Sequence, residues 1–421
     1  MTRVPLLAFA SISLLLVAAL AFSAVSVSEK ARKLHFSSIV VDTHDDTTQR
    51  FLDGKFDLGD RTNTGSIDIP RMKEGGLSAI FFSIWIPSKI TGPEAVRRAL
   101  QQIDEVHEQV RKHPRDLVLA TTAAQIREAK KKGQIAALMG VEGGHMINSD
   151  LDVLRKFAGL GVRYMTLTHS GNDEWADSST DKAAHNGLTD FGKDVVREMN
   201  RLGVMVDISH VSDKTFADAL AVSKAPMIAS HSSCRAICDA PRNMTDEMMK
   251  ALASKGGVVQ INYHVGFLSQ EFRDAEKADP KINAAIEQEV TKRCGDNEAC
   301  QLLEGDKLTR EAVEQGKLPR VGYNKIIEHI DHAVKVAGAD HVGLGSDFDG
   351  ANMPYGMEDA SKSPLITDAL LKKGYSESDV RKILGENTLR VMSEVERVSR
   401  DLDATSKNQP SSPRAKKREA K

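Results

Sequence analysis

Histidines, aspartates and a glutamate follow or end short apolar runs in this 421-residue sequence. His44 and Asp46 follow the first run, and a spacing of two residues points both side chains to one face of a strand. Glu142 ends a later run beside two glycines, where an unpaired charge would be costly. His210 and His231 follow two further runs. A turn or a salt bridge explains each residue alone, whereas the five together offer three imidazoles and two carboxylates.

This set of side chains predicts a metal site. Nitrogen and oxygen donors without thiolate fit zinc best, and manganese and cobalt remain alternatives. Five ligands exceed the roughly three that a single catalytic zinc takes from a protein, so they favour two ions with one bridging carboxylate. Such a pair can hold a shared hydroxide and polarise a carbonyl group. The chemistry indicated is metal-dependent hydrolysis.

The elements that must position these residues are eight apolar runs, separated by segments with helical spacing. Continuous apolar runs are typical of parallel strands that are buried on both faces. Eight strands alternating with helices favour a (β/α)8 TIM barrel over a doubly wound sheet. In a barrel, the carboxyl ends of the strands meet on one face, so the polar strand ends are expected to converge. The runs are Ser38–Val41, Leu77–Ile84, Ile135–Val141, Tyr164–Leu167, Val204–Ile208, Met227–Ala229, Val258–Ile261 and Val342–Leu344.

A long segment from about Leu268 to Arg320 separates the seventh and eighth runs. It is charged and helical in pattern, so we expect a helical insertion on the face that carries the strand ends. Four cysteines are too few for a disulfide scaffold. Cys294 and Cys300 can pair locally within the insertion, whereas the pairing of Cys234 and Cys238 stays open.

The two ends of the chain differ in composition from its body. Residues 1–27 carry one charge, Arg3, and a long apolar stretch, which predicts a signal peptide or an uncleaved N-terminal anchor. Export to the periplasm or the extracellular space follows from either. Residues 401–421 are expected to form a disordered basic tail, which leaves 28–400 as the catalytic domain. With 57 basic and 59 acidic residues, the chain has no charge pattern typical of nucleic-acid binding.

Seven motifs, in this order, resemble those of the membrane (renal-type) dipeptidase family, the M19 metallopeptidases. The resemblance extends from about Ser37 to Val395, and the family is a (β/α)8 barrel of the metal-dependent hydrolase type. It implies a binuclear zinc enzyme that hydrolyses dipeptides, including some with a C-terminal D-residue, and that commonly forms homodimers. The motifs are DTHDD, GVEGGH, LTH, DISHVS, SHSS, PRN and GLGSDFDG.

The resemblance also implies a role for each matching residue. His44 and Asp46 would bind the first Zn²⁺, His210 and His231 the second, and Glu142 would bridge the two. His169 would contact the substrate oxygen and stabilise the tetrahedral intermediate. Arg242 would bind the substrate carboxylate, for which a planar guanidinium is well suited. Asp347 would hold the free amine and handle the proton during C–N cleavage.

Four positions depart from the family pattern, and two other functions remain as alternatives. Thr43, Asp45 and Ser346 replace the more usual Gly, Asn and Gly, and we expect Asp45 to add a negative charge beside the metals. His264 stands where relatives often have an aromatic residue, so it is expected to alter the pocket wall. One alternative is an exported amidohydrolase that acts on N-acyl amino acids or β-lactams. The other is a binding protein that has kept the barrel without catalysis.

Overall fold

The computed structural model describes residues 27–52 and 56–407, and this part of the chain contains one parallel sheet. Its strand order is β1-β2-β4-β5-β6-β7-β8-β9, with β3 paired to the amino-terminal half of β4. The strands are β1 (Val41–Asp45), β2 (Ala79–Trp85), β3 (Leu117–Leu119), β4 (Ile135–Glu142), β5 (Val162–Thr166), β6 (Met205–Asp207), β7 (Ile228–Ala229), β8 (Val258–Ile261) and β9 (Val342–Leu344).

Helices follow most of the strands and cover the outside of the sheet. They are α1 (Glu29–Ser37), α2 (Thr48–Phe51), α3 (Ile69–Glu74), α4 (Gly92–Lys112), α5 (Ala123–Lys131), α6 (Leu151–Gly159), α7 (Asp190–Leu202), α8 (Asp213–Val222), α9 (Asp246–Ser254), α10 (Val265–Leu268), α11 (Gln270–Ala278), α12 (Pro280–Cys294), α13 (Glu298–Glu314), α14 (Asn324–Ala337), α15 (Pro364–Lys372), α16 (Glu377–Arg381) and α17 (Asn387–Lys407). Strand residues such as Phe82 and Ile261 share one buried cluster with helix residues such as Val195 and Ile330. The apolar core therefore lies mainly between the sheet and the helices.

The sheet closes on itself where β9 meets β1. A parallel bridge joins Asp45 to Phe348, and the amide of Asp46 donates to the carbonyl of Phe348 at 2.8 Å. The amide of Asp347 donates to the carbonyl of His44 at 3.0 Å. The eight strands of the main path thus form a nearly closed parallel barrel with alternating helices, which confirms the predicted (β/α)8 TIM barrel.

Two details of the strand prediction were wrong. The first strand is Val41–Asp45 rather than Ser38–Val41, so its polar residues Asp42 and His44 lie within the strand and are buried. Apolar content marks a strand poorly where the barrel interior supplies polar partners. The short strand β3 was not predicted, since three apolar residues are too few to stand out from a loop.

The predicted insertion consists of helices α10 to α13, which lie between β8 and the barrel helix α14. It has its own small apolar cluster, to which Phe272 of α11 and Ala312 of α13 contribute. Helix α12 buries none of its residues. A disulfide joins Cys294 to Cys300 across the turn between α12 and α13, so the local pairing that the sequence left open does occur. Cys234 and Cys238 are buried free thiols.

Both predicted end segments lie largely outside the described residues. The leader at 1–27 is described only at its last residue, and the tail beyond 407 is not described. Helix α17 continues to Lys407, so the predicted boundary at 401 falls inside a helix. Among the helices of the described ranges, none is both long and apolar enough to cross a membrane.

Candidate metal centre and substrate cavity

The candidate metal ligands lie together at the carboxyl ends of the barrel strands. His44 belongs to β1 and Glu142 is the last residue of β4, whereas His210 and His231 follow β6 and β7 within three residues. One oxygen of Glu142, Oε2, is 3.4 Å from His44 Nε2. The other, Oε1, is 2.9 Å from His210 Nε2 and 3.2 Å from His231 Nε2. The two oxygens of Glu142 therefore face two different groups of imidazoles.

Asp46 completes the group around His44. Its Oδ1 is 3.7 Å from His44 Nε2, and Asp347 Oδ1 is 4.0 Å from the same nitrogen. Three sets of side chains could each hold an ion, with ligand atoms within 4.8 Å of one another. The sets are His44, Glu142 and His231; Glu142, His169 and His210; and His44, Asp46 and Asp347.

These residues fit metal ions by two physical criteria. His44 Nε2 and Asp46 Oδ1 are buried and have no hydrogen-bond partner among the described residues, which is costly unless a ligand satisfies them. Two ligand atoms on a tetrahedral zinc lie about 3.3 Å apart, given bonds of about 2.0–2.1 Å. The observed separations from Glu142 to His44, His210 and His231 bracket that value.

The imidazole of His44 is held from behind by a tyrosine. His44 Nδ1 is 2.7 Å from the hydroxyl of Tyr164, and both side chains are fully buried. The ring of Tyr164 crosses the barrel over Gly140, where an added Cβ would lie 1.9 Å from the tyrosine Cζ. Glycine is therefore required at 140 for this approach. The contact leaves Nε2 of His44 directed at the cluster.

A second polar network holds His231. Its Nδ1 is 2.8 Å from the hydroxyl of Ser230, which donates to Asp207 Oδ2 at 2.6 Å. The amide of Ser230 donates to Asp207 Oδ1 at 2.8 Å, and Ser83 donates to Glu142 Oε2 at 3.1 Å. These partners fix ring and carboxylate orientation, as such contacts commonly do in metal sites.

The pKa values reflect mutual electrostatics within the cluster. Burial lowers the pKa of His44, but the carboxylates of Glu142, Asp46 and Asp347 raise it to about 10. Burial raises the pKa of Glu142, yet the surrounding histidines hold it well below its usual range. The pKa of Asp46 is well above its usual range because of burial and the nearby Glu142. Strong perturbations of this kind concentrate at functional sites.

His169 lies at the edge of the cluster, beside a tryptophan. Its ring centroid is 4.5 Å from that of His210, and its Nε2 is 3.8 Å from Glu142 Oε1. The indole Nε1 of Trp85 lies 3.0 Å from His169 Nε2. Burial lowers the pKa of His169 to about 4, so the imidazole is neutral near pH 7. The site residues predicted at strand ends were all charged residues or histidines. Trp85 is the last residue of β2, so a search that included aromatic residues at strand ends would have found it.

Arg242 and Asp347 are two buried charged groups at different places around the cluster. Arg242 donates from Nη2 to the carbonyl of His231 at 3.1 Å, and its Nε has no partner among the described residues. The side-chain amide of Asn262 donates to Asp347 Oδ2 at 2.8 Å. His210 and Asp347 have φ values of 65° and 66°, a strained conformation for such residues. Asp347 Oδ1 lies 4.0 Å from His44 Nε2, whereas no described residue forms an ion pair with Arg242, whose Nη1 is 3.4 Å from Ser232 Oγ.

A cavity of about 250 Å³ lies over the cluster and is lined by most of the predicted site residues, whereas His44 and His231 are not part of its wall. Leu302, from helix α13 of the insertion, lines it beside barrel residues, so the insertion covers the active-site face as expected. His264 also lines it, as predicted. The barrel contribution is Asp46, Trp85, Glu142, His169, His210, Arg242 and Asp347.

Asp45 does not extend the cluster of possible ligands. Its Oδ1 accepts from the amide of Thr47 at 3.1 Å, and it belongs to none of the candidate ion-binding sets. Burial raises the pKa of Asp45 well above its usual range. The position of this side chain therefore does not support the expected additional negative charge beside the metals. The observed position of Asp46 depends on a glycine at 350, because a Cβ at 350 would lie 1.7 Å from Asp46 Oδ2.

A parallel barrel with histidines and carboxylates clustered at its strand ends defines a metal-dependent hydrolase of the β/α-barrel type. A family model for membrane dipeptidases, peptidase family M19, matches residues 28–406, and the chain belongs to this family. The resemblance inferred from the seven motifs is thereby confirmed.

Solved structures agree with this assignment. A probable dipeptidase, PvdM from Pseudomonas aeruginosa, is 27% identical with a TM-score of 0.72, and the match covers 88% of this chain and 98% of that one. A metallopeptidase from Rhodobacter sphaeroides, liganded with a phosphinate mimic of the dipeptide L-Ala-D-Ala, is 27% identical with a TM-score of 0.70. That match covers 85% of this chain and 99% of the other.

Proposed function

We propose that the protein is a dipeptidase that holds two Zn²⁺ ions and hydrolyses the peptide bond of dipeptides. The observation that carries this proposal is that one cavity of about 250 Å³ is lined by Asp46, Glu142 and His210 of the metal cluster and also by Arg242 and Asp347. A free dipeptide has one carboxylate and one amine, which complement these two charges. Its scissile carbonyl would then lie over Glu142 and the histidines.

The distances from the two oxygens of Glu142 to the histidines support the ligand assignment in this proposal. His44 and Asp46 would hold one ion and His210 and His231 the other, and Glu142 would contact both through its two oxygens. The donor set of imidazoles and carboxylates favours zinc. When bound, the two ions supply an activated water and polarise the substrate carbonyl.

Three side chains of the protein bind the substrate and move protons in this proposal. Arg242 binds the terminal carboxylate through a buried guanidinium, which a bidentate contact suits. Asp347 binds the amine, takes a proton from the attacking water and passes it to the leaving nitrogen as the C–N bond breaks. His169 stays neutral because burial lowers its pKa to about 4, so it donates one N–H to the carbonyl oxygen as negative charge develops there.

Dipeptides with a C-terminal D-residue belong to the proposed substrate range. The Rhodobacter sphaeroides relative was solved with a mimic of L-Ala-D-Ala, and it matches nearly the whole barrel of this chain. The mimic supports testing both configurations at the C-terminal position. Hydrolysis of L-Ala-L-Ala alone would remove the D-residue from the proposal and leave the dipeptidase activity standing.

The test is a substrate panel measured with and without chelator. L-Ala-L-Ala and L-Ala-D-Ala should be hydrolysed, whereas N-acetyl-L-alanine and a β-lactam, which lack the free amine, should react far more slowly. Preferred turnover of N-acetyl-L-alanine or the β-lactam would instead support the amidohydrolase alternative. Absence of turnover from every compound, in protein that carries metal, would favour a binding protein.

Metal analysis tests the two-ion arrangement. Elemental analysis should give about two zinc ions per chain, and His210→Ala should retain about one and lose turnover. Ser399→Ala is the control, since the Ser399 hydroxyl donates to the carbonyl of Arg201 on the outer helices at 2.6 Å, outside the metal cluster. Wild-type kcat in His210→Ala would exclude the assignment of His210 as a ligand.

We further propose that the enzyme is exported and that residues 1–27 direct the export. The leader composition supports this, and so does the Cys294–Cys300 disulfide, because disulfides persist in oxidising compartments. Fractionation of cells that express the full chain should place activity outside the cytoplasm. The mass of the mature N-terminus would distinguish a cleaved signal peptide from a retained membrane anchor.

A further inference from the structure

A second cavity, of about 400 Å³, adjoins the proposed substrate site on the side of Arg242. Ser170, His210, Arg242 and Phe267 line both this cavity and the one over the metal cluster. The other walls come from the segment 179–181 and from helix α11 of the insertion. The substrate group next to Arg242 therefore has a direct way into this second space.

Arg273 of α11 lines the second cavity and has a side chain without a partner. Its Nε is buried and makes no hydrogen bond, and no described residue forms an ion pair or a hydrogen bond with its guanidinium. Its charge lowers the pKa of Glu276 and of Cys238, but burial raises the pKa of both groups more strongly. The backbone of α11 at Arg273 is anchored by its neighbour Phe272, which is buried in the insertion core.

Other groups on the cavity wall also offer donors. Ser179 Oγ and Arg242 Nε are buried and lack partners among the described residues. The carboxylate of Asp181 lines the cavity too, but its oxygens accept the backbone amides of Asn172 at 2.9 Å and Lys182 at 2.7 Å. The cavity thus combines two guanidinium groups and a free hydroxyl with a carboxylate whose oxygens are already bonded.

We propose that this cavity binds an acidic side chain on the C-terminal residue of the dipeptide, with Arg273 as the residue that determines this specificity. The proposal rests on the proposed dipeptidase function, in which Arg242 binds the terminal carboxylate. The side chain of the same substrate residue starts one carbon away from that carboxylate, so it extends along the shared wall. A guanidinium without a partner is the group best suited to receive a second carboxylate.

The experiment compares two dipeptides of nearly equal size. We expect kcat/KM for L-Ala-Glu to exceed that for L-Ala-Gln by about 10-fold, which corresponds to about 1.4 kcal/mol. The D- and L-forms of the C-terminal residue are both measured, and the form that is hydrolysed is used. Arg273→Met should bring the Glu-to-Gln ratio close to one, mainly through KM, and Arg273→Lys should restore part of it.

Lys277→Met is the matched control, because Lys277 is an exposed cation on the same helix and does not line the cavity. It should keep the wild-type ratio, and thermal unfolding should show that each variant folds. A ratio at or below one in the wild type, or a ratio that Arg273→Met leaves unchanged, overturns the proposal. If L-Ala-Ala is hydrolysed in that case, only the acidic subsite fails. If no dipeptide is hydrolysed, the proposed function and this subsite fail together.

Discussion

Removal of the Tyr164 hydroxyl should weaken metal binding without altering the ligands themselves. In Tyr164→Phe, His44 keeps its position but loses the 2.7 Å contact at Nδ1. Once Nε2 binds a metal, Nδ1 must carry the proton, so the variant has a buried N–H without an acceptor. Neither side chain is accessible to water, which therefore cannot replace the hydroxyl.

The size of the effect follows from that unpaired N–H group. A buried donor without a partner costs about 1–3 kcal/mol, and about 2 kcal/mol corresponds to a loss of roughly 30-fold in affinity. This lies within the range of about 10–100-fold found when the partners of metal ligands are removed. Because the cost applies to the metal-bound state, Kd should rise while kcat at saturating zinc falls less.

The assay is competition for zinc against a chelator of known affinity, with kcat measured at saturating metal. Tyr375→Phe is the control, since its hydroxyl donates to Asp331 at 2.9 Å outside the metal cluster. That variant should lose some stability and keep the wild-type zinc affinity. A Kd for Tyr164→Phe within about 3-fold of the wild type would refute the orienting role of this hydroxyl.

Three other outcomes follow from the same geometry. Gly140→Ala places a Cβ 1.9 Å from the Tyr164 ring, so denaturant unfolding should show a free energy of unfolding lower by about 2 kcal/mol. Gly159→Ala is the control, and it should change this free energy little because nothing lies near its Cβ. Arg242→Ala should raise KM for dipeptides by about 100-fold and have little effect on amidated dipeptides, and an equal loss on both would contradict carboxylate binding. Chelation should lower Tm by about 5 °C, and added zinc should restore it; an unchanged Tm would contradict metal binding to the folded state.

The barrel could be predicted from sequence because its strands are continuous apolar runs, and the insertion because it is charged and helical between two of them. The disulfide in the insertion remained an open possibility until the structure placed Cys294 beside Cys300. Strand β1 was placed too early because a strand that carries Asp42 and His44 lacks the apolar signature. Its polarity makes sense only after the barrel has closed and supplied Tyr164 and Ser346 as partners.

The residues of the site also separate into those that could be predicted from sequence and those that could not. Side chains at strand ends were predictable as a convergent set, since barrel geometry brings every such end to one face. The groups that orient them were not, because Tyr164 and His44 are 120 residues apart and nothing local links them. For Asp45, position in the sequence was a poor guide to position in the site. Its neighbours in sequence suggested a charge at the metals, whereas the pleat of the strand directs it elsewhere.

The residues of the three candidate ion-binding sets extend along the chain from His44 to Asp347, and the ends of six strands contribute them. No partially synthesised or half-closed chain can assemble the set, so metal capture is among the last events of folding. If the protein is exported as proposed and crosses the membrane unfolded, this order places metal acquisition after translocation. Zinc content would then report how many molecules in a preparation have completed the barrel.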